Sequence, residues 1–232
     1  MDLRVLEDPA AACAELLVEA ASAGHHIALT GGSTPRRAYE QAAELDDDWS
    51  GAKLWWGDER CVAPDDENSN YGMAKEALLD RLAGSPEVHR IRAEHGPSGG
   101  ADDYERELRS ALGEGTPRLD LVLLGLGPDA HVASLYPGHD TLDVSDRLAV
   151  PVPEPGWKPF IPRVSLTLSV INGARRVVFL VTGEDKAEAV DASFGPGRSA
   201  SHDAPGSCVR PVDGELILLL DEAAARRLPR SG

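Results

Sequence analysis

Apolar residues in this chain fall into short unbroken runs, separated by stretches in which they recur every three or four positions. The runs read as strands buried on both faces and the periodic stretches as amphipathic helices. A first helix opens at Asp8-Pro9, carries Ala, Leu and Val at helical spacing and stops at Gly24. N-cap acid, first-turn proline and terminal glycine each sit where a helix end favours them. A strand at 27–29 leads through Thr30-Gly31-Gly32-Ser33-Thr34-Pro35 into an Ala-rich helix ending near Glu44. A strand at 53–56 runs into Gly57-Asp58-Glu59-Arg60, followed by a helix at 71–82, a strand at 88–91 and a helix at 102–112. The clearest buried strand, 119–124, ends at Gly125-Leu126-Gly127-Pro128-Asp129-Ala130-His131. Strands are expected near 147–152, 163–167 and 175–181, then a helix at 184–192, a strand at 215–220 and a closing helix. Residues 193–207, rich in Gly, Ser and Pro, read as a surface loop.

This alternation predicts an α/β, Rossmann-like fold: a mostly parallel sheet flanked by helices on both faces. No internal repeat or low-complexity linker divides the chain, so a single domain over residues 1–232 is expected. Ligands in such sheets bind beyond the carboxyl ends of the strands. That rule points to the loops after residues 29, 56, 124 and 181, all polar or glycine-rich.

Composition narrows the partners. Hydrophobic residues make up 42% and charged residues 27%, as in an ordinary globular protein. Asp and Glu number 39 against 23 Lys and Arg, a net charge of −16. Such a field repels polyphosphate backbones and anionic lipid, so neither nucleic acid nor membrane is an expected partner. A small anionic substrate would need a local cluster of cations and backbone N–H groups that overrides the global repulsion. Cys13, Cys61 and Cys208 are widely spaced and form no C-x-x-C pair, so neither a disulfide framework nor a zinc site is indicated. Acids at Asp2 and Glu7 interrupt any N-terminal apolar stretch, and no segment reaches membrane-spanning length. A monomer in the reducing cytoplasm is the expectation.

Several motifs carry chemistry. Gly31-Gly32-Ser33-Thr34, between a strand and a helix, suits an anion held by first-turn N–H groups, or a tight turn with a hydroxyl N-cap. Arg60 can fork onto phosphate oxygens or a developing oxyanion; a solvated charge run is the alternative. Gly125 to Ala130 matches the dinucleotide fingerprint G-x-G-x-x-A, but Pro137-Gly138 follows too soon for the long helix that motif requires. His131 sits at a strand end, where an imidazole can take a proton from water, with Asp129 two residues before it; a structural histidine bonding its own loop is the alternative. Lys186 opens a helix, where a cation opposes the dipole unless an anion is bound close by; a flexible surface lysine is the alternative. Asp58 and Gly127 are further candidates to face the substrate or an oxyanion.

Together these segments resemble the 6-phosphogluconolactonase family. The resemblance rests on Leu29 to Pro35, on Trp56 to Arg60 with Asn68-Ser69-Asn70-Tyr71, on Gly125 to Gly138, and on Arg163 through Lys186, in the family's order. It implies a Rossmann-like fold shared with glucosamine-6-phosphate deaminase, and hydrolysis of 6-phospho-D-glucono-1,5-lactone to 6-phosphogluconate in the oxidative pentose phosphate pathway. It implies no metal or cofactor. It also implies a phosphate held by Gly32, Ser33, Thr34, Arg60, Lys186 and Arg163, and His131 as general base. One departure stands out: the family usually has Gly where this chain has Ala130. If that residue has positive φ, the Ala would be strained and could turn His131 away from the lactone. Three alternatives remain. An amino-sugar deaminase of the same superfamily would have a catalytic Glu after the histidine, where this chain reads Ala133-Ser134-Leu135-Tyr136-Pro137. A non-catalytic phosphosugar sensor would keep the anion site without turnover, and a dinucleotide-binding protein would respond to nicotinamide.

Overall fold

The computed structural model describes residues 1–229. Chain order runs β1 (Asp2–Val5), α1 (Pro9–Ser22), β2 (His26–Leu29), α2 (Ser33–Leu45), β3 (Lys53–Trp56), β4 (Asp58–Arg60), α3 (Asn70–Ala77), β5 (Glu87–Val88), α4 (Gly96–Leu112) and β6 (Leu121–Leu124). It continues through β7 (Ala149–Val152), β8 (Arg163–Leu166), α5 (Leu168–Gly173), β9 (Arg176–Val181), α6 (Ala187–Phe194), β10 (Glu215–Leu220) and α7 (Glu222–Ala225). Among the described residues one seven-stranded sheet has the order β1-β10-β9-β6-β2-β3-β5, and every pair in it is parallel. A smaller antiparallel sheet joins β4, β8 and β7.

Successive residues of a strand point to opposite faces, so a strand buried at every position needs cover on both sides. All of Leu121–Leu124 is buried, as are residues 177–181. That is why these segments are continuous apolar runs. Helices α1 and α2 pack on each other, with α1 also touching β9 and β10; α4 packs on β7 and β8. At α1, Asp8 accepts from the Ala11 N–H at 3.2 Å, Pro9 takes the first turn, and Gly24 adopts φ +71° just beyond the end.

Several elements differ from the sequence expectation, each for a physical reason. Strand β1 is solvent-exposed at all its residues, so the edge of the sheet carries no hydrophobic signature. Helix α4 begins at Gly96 instead of 102, because its glycine-rich first turns read as loop. A Cβ on Gly100 would come within 3.1 Å of Ala93 and of Val164, so that glycine lets the helix approach β8. Residues 193–207 are not a surface loop throughout: Ser193 and Phe194 end α6 and are buried, and residues 204–207 are buried as well. Residues 184–186 form a 3-10 turn ahead of α6. No helix is long and apolar enough to cross a membrane among the described residues.

Candidate active site

From β2 the chain steps outward through β3 to β5, then returns to place β6 on the other side of β2 and β9 beyond it. The sheet order therefore reverses between β2 and β6, where strand-end loops diverge and leave a crevice. A cleft of about 250 Å³ lies there, lined by Thr30, Gly31 and Gly32 after β2, Asp58 and Arg60 after β3, residues of the 125–133 loop after β6, and Lys186 after β9. All four strand ends marked by the sequence meet in it.

Two buried tyrosines hold the first two of these ends. Tyr39 of α2 donates its hydroxyl to the Thr30 carbonyl at 2.7 Å and accepts the Thr30 N–H at 2.9 Å. Tyr104 of α4 makes the same pair of bonds to the carbonyl and N–H of Trp56, each at 2.9 Å. Each phenol satisfies the backbone polar groups of a residue where the parallel ladder gives out.

The cationic wall follows from β4 and β8. Their register sets Arg60 opposite Arg163 and Asp58 opposite Ser165. With a two-residue period, Asp58 and Arg60 share a face, and both arginines join Asp58 in lining the cleft. Asp58 is buried, accepting from Ser134 Oγ at 2.6 Å and Asn70 Nδ2 at 3.0 Å, with Arg163 Nη1 at 3.9 Å. Glu59, on the opposite face, accepts the N–H groups of Asn70 and Tyr71 at 2.8 and 2.7 Å and so caps α3. Burial pushes its carboxyl above the ordinary value, even against those bonds. The Nε atoms of Arg60 and Arg163 are buried without a hydrogen-bond partner among the described residues. The two guanidinium groups bring fixed positive charge to one cleft, which suits an anion there. This is the local cationic cluster that a chain of net charge −16 needs for an anionic ligand.

The loop after β6 carries the histidine. Asp129 Oδ1 lies 2.5 Å from His131 Nδ1 and also accepts the His131 N–H at 3.2 Å. Burial would raise the Asp129 carboxyl, but the hydrogen bond from the ring, the ring's charge and the backbone N–H together hold it below the ordinary value of 3.8. An ionised carboxylate only accepts, so Nδ1 is the donor to Asp129 and Nε2 is the ring nitrogen left to accept a proton. Ala130 has φ +66° and Ala133 φ +48°, a conformation that favours glycine. The strain at Ala130 does not displace the ring, which remains on Asp129 and in the cleft. Gly127 is required by close approach: a Cβ there would fall 2.0 Å from His131 Nδ1. Its N–H already donates to the His131 carbonyl at 2.9 Å, which removes it as an oxyanion donor.

Gly32, Asp58, Arg60, Gly127, His131, Arg163 and Lys186 thus line one cleft, with Asp129 behind the histidine. Ser33 and Thr34 do not line it. They border a neighbouring hollow with Asp8, Arg37 and Asp221, and the Thr34 hydroxyl bonds that of Thr182 at 2.8 Å. The hydroxyl of Thr34 therefore ties the glycine loop to the end of β9. Sequence reading missed Asn70, Trp157 and Lys158 in the cleft wall and Ser134 behind Asp58. Asn70 lay within a quoted motif, but no spacing rule links it to Asp58. No α-helix follows Ala130 until Leu168, which leaves the G-x-G-x-x-A match without its required context. No cluster of three His, Cys, Asp or Glu residues is placed to hold a metal among the described residues.

Residues 4–218 match the family described as glucosamine-6-phosphate isomerases/6-phosphogluconolactonase. A 6-phosphogluconolactonase of Nostoc sp. is 43% identical over 209 residues, spanning 87% of this chain and 84% of that protein. The crystal structure of 6-phosphogluconolactonase from Leishmania guyanensis superposes with a TM-score of 0.85 at 30% identity, covering 98% of each chain. A monomeric glucosamine-6-phosphate deaminase superposes with a TM-score of 0.81 at 19% identity over 97% of this chain and 99% of that one, a likeness of fold alone.

Proposed function

The chain belongs to the glucosamine-6-phosphate isomerase/6-phosphogluconolactonase family, and from that premise we propose that it hydrolyses 6-phospho-D-glucono-1,5-lactone to 6-phosphogluconate, the second step of the oxidative pentose phosphate pathway. The observation that carries this reading is the Asp129–His131 pair at 2.5 Å, in one cleft with Arg60, Arg163 and Lys186. A lactone carbonyl is already electrophilic, so the protein needs to activate water and hold C1 in place. The cations grip the phosphate and fix the ring beside His131. Nε2 takes a proton from water as the hydroxide adds to C1. Collapse of the tetrahedral adduct breaks the bond from C1 to the ring oxygen, and the imidazolium returns its proton to that oxygen. Asp129 holds the ring in the correct tautomer and stabilises the imidazolium.

The deaminase reading has less support. The carboxylate in the cleft, Asp58, is occupied by Ser134, Asn70 and Arg163, and Glu59 is turned away to cap α3. We read the protein as a single-domain, monomeric cytoplasmic enzyme; its unpaired cysteines are in keeping with a reducing compartment.

The test supplies freshly made lactone and follows its loss above the spontaneous rate. His131→Ala is expected to lose turnover by a factor on the order of 10² to 10⁴ while retaining affinity for 6-phosphogluconate. Lys186→Ala is expected chiefly to raise KM. Equal rates for parent and His131→Ala would remove the assigned base, and ammonia release from glucosamine 6-phosphate would replace the reaction.

A further inference from the structure

Trp49, Trp55 and Trp56 are fully buried, whereas Trp157 is 43% exposed and lines the cleft. Leaving an indole half in water forgoes much of the burial energy available to it, so core packing does not account for that placement. Nor does Trp157 ride on a free loop. On one side of it, a Cβ on Gly156 would stand 3.1 Å from two ring carbons of Tyr136, so the chain runs directly over that ring. On the other, the Pro159 carbonyl accepts from Arg163 Nη2 at 3.0 Å, and Arg163 is only 3% exposed. Tyr136 in turn packs on His131, with ring centroids 4.7 Å apart. The backbone around Trp157 is thus tied on both sides to residues that build the histidine and arginine walls.

We propose that the Trp157 indole is a platform for the lactone ring and so a specificity-determining residue of this site. The inference rests on the lactonase reading. A sugar lactone presents hydroxyls around its rim and C–H groups on its faces, and the ester group flattens one side of the ring. An indole in the lining of a cleft that also holds cations suits such a surface, while the guanidinium and ammonium groups take the phosphate. Hydrolysis opens the ring and destroys the flat apolar face. Trp157 therefore favours substrate over product and limits product inhibition.

Steady-state hydrolysis of freshly made lactone by the parent, Trp157→Ala and Trp157→Phe, with 6-phosphogluconate as inhibitor, tests this. Trp157→Ala is expected to raise KM about three- to tenfold, with kcat and the inhibition constant of 6-phosphogluconate each within about twofold. Trp157→Phe, which keeps a flat ring, is expected to restore KM to within about twofold of the parent. If the parent turns over the lactone and Trp157→Ala leaves KM unchanged, the platform is wrong and the lactonase reading stands. The platform is equally overturned if Phe is as impaired as Ala, or if the inhibition constant rises in step with KM. A parent without turnover would instead sink the lactonase reading, and the platform with it.

Discussion

Ala130 combines a left-handed backbone, at φ +66°, with the position immediately before the proposed base. An L-residue pays about 1–2 kcal/mol for that conformation, part of which glycine would give back through greater freedom of the unfolded chain. Ala130→Gly is therefore expected to stabilise the protein by about 0.5–1 kcal/mol in urea unfolding, with kcat unchanged within about twofold because His131 is already seated on Asp129. A destabilised variant would mean that the alanine methyl packs well enough to outweigh the strain. Asp129 supplies a pH prediction. Its carboxyl is depressed in the folded state, despite burial, by the hydrogen bond and charge of His131. A group of that kind adds stability that is complete above its unfolded value and is lost as pH falls through its folded value. Asp129→Asn should thus be less stable than the parent at pH 7, with the gap closing below about pH 4. Its kcat should fall by a factor on the order of 10² to 10⁴, because an amide no longer imposes the tautomer. A stability gap that persists undiminished at pH 3 would contradict this account.

The elements around the cleft hold its loops by contacts distant in sequence. The N–H of Gly206 donates to the Ala130 carbonyl at 2.9 Å, so the buried end of the 193–207 segment braces the histidine loop. A Cβ on Gly206 would fall 2.6 Å from Ser193 Oγ and 2.8 Å from Leu126 Cδ1. Gly206→Val should lower stability by about 1–3 kcal/mol, as overpacking does, and reduce kcat severalfold more than it changes KM. Wild-type kcat in a folded Gly206→Val protein would show that the brace has no bearing on His131. The composition of this segment hid its role, since Gly, Ser and Pro mark turns whether exposed or buried. The tyrosine clamps were equally hidden, because Tyr39 and Tyr104 look like helix-face core residues until their hydroxyls are seen on Thr30 and Trp56. Strand β1 and the first turns of α4 escaped for the converse reason, lacking any apolar period of their own.

On the scale of the whole molecule, a strongly acidic protein concentrates Arg60, Arg163 and Lys186 at the point where its sheet reverses order. Sequence by itself determined the α/β class, the buried strands, the four strand-end loops that meet at the cleft and the presence of Asp129 two residues before His131, though not the contact between them. These are local properties, written in the period of apolar residues and in glycines and prolines at element ends. It also carried the family motifs across most of the chain. Tertiary structure alone decided that Arg163 faces Arg60 across an antiparallel pair and that Asp58 sits buried between Ser134, Asn70 and Arg163. It alone decided that Thr34 turns to Thr182, that Gly127 has spent its N–H, and that Trp157 reaches the cleft. Each of these depends on strand register or on the packing of segments far apart in the chain, and such pairings leave no period in the residues that make them.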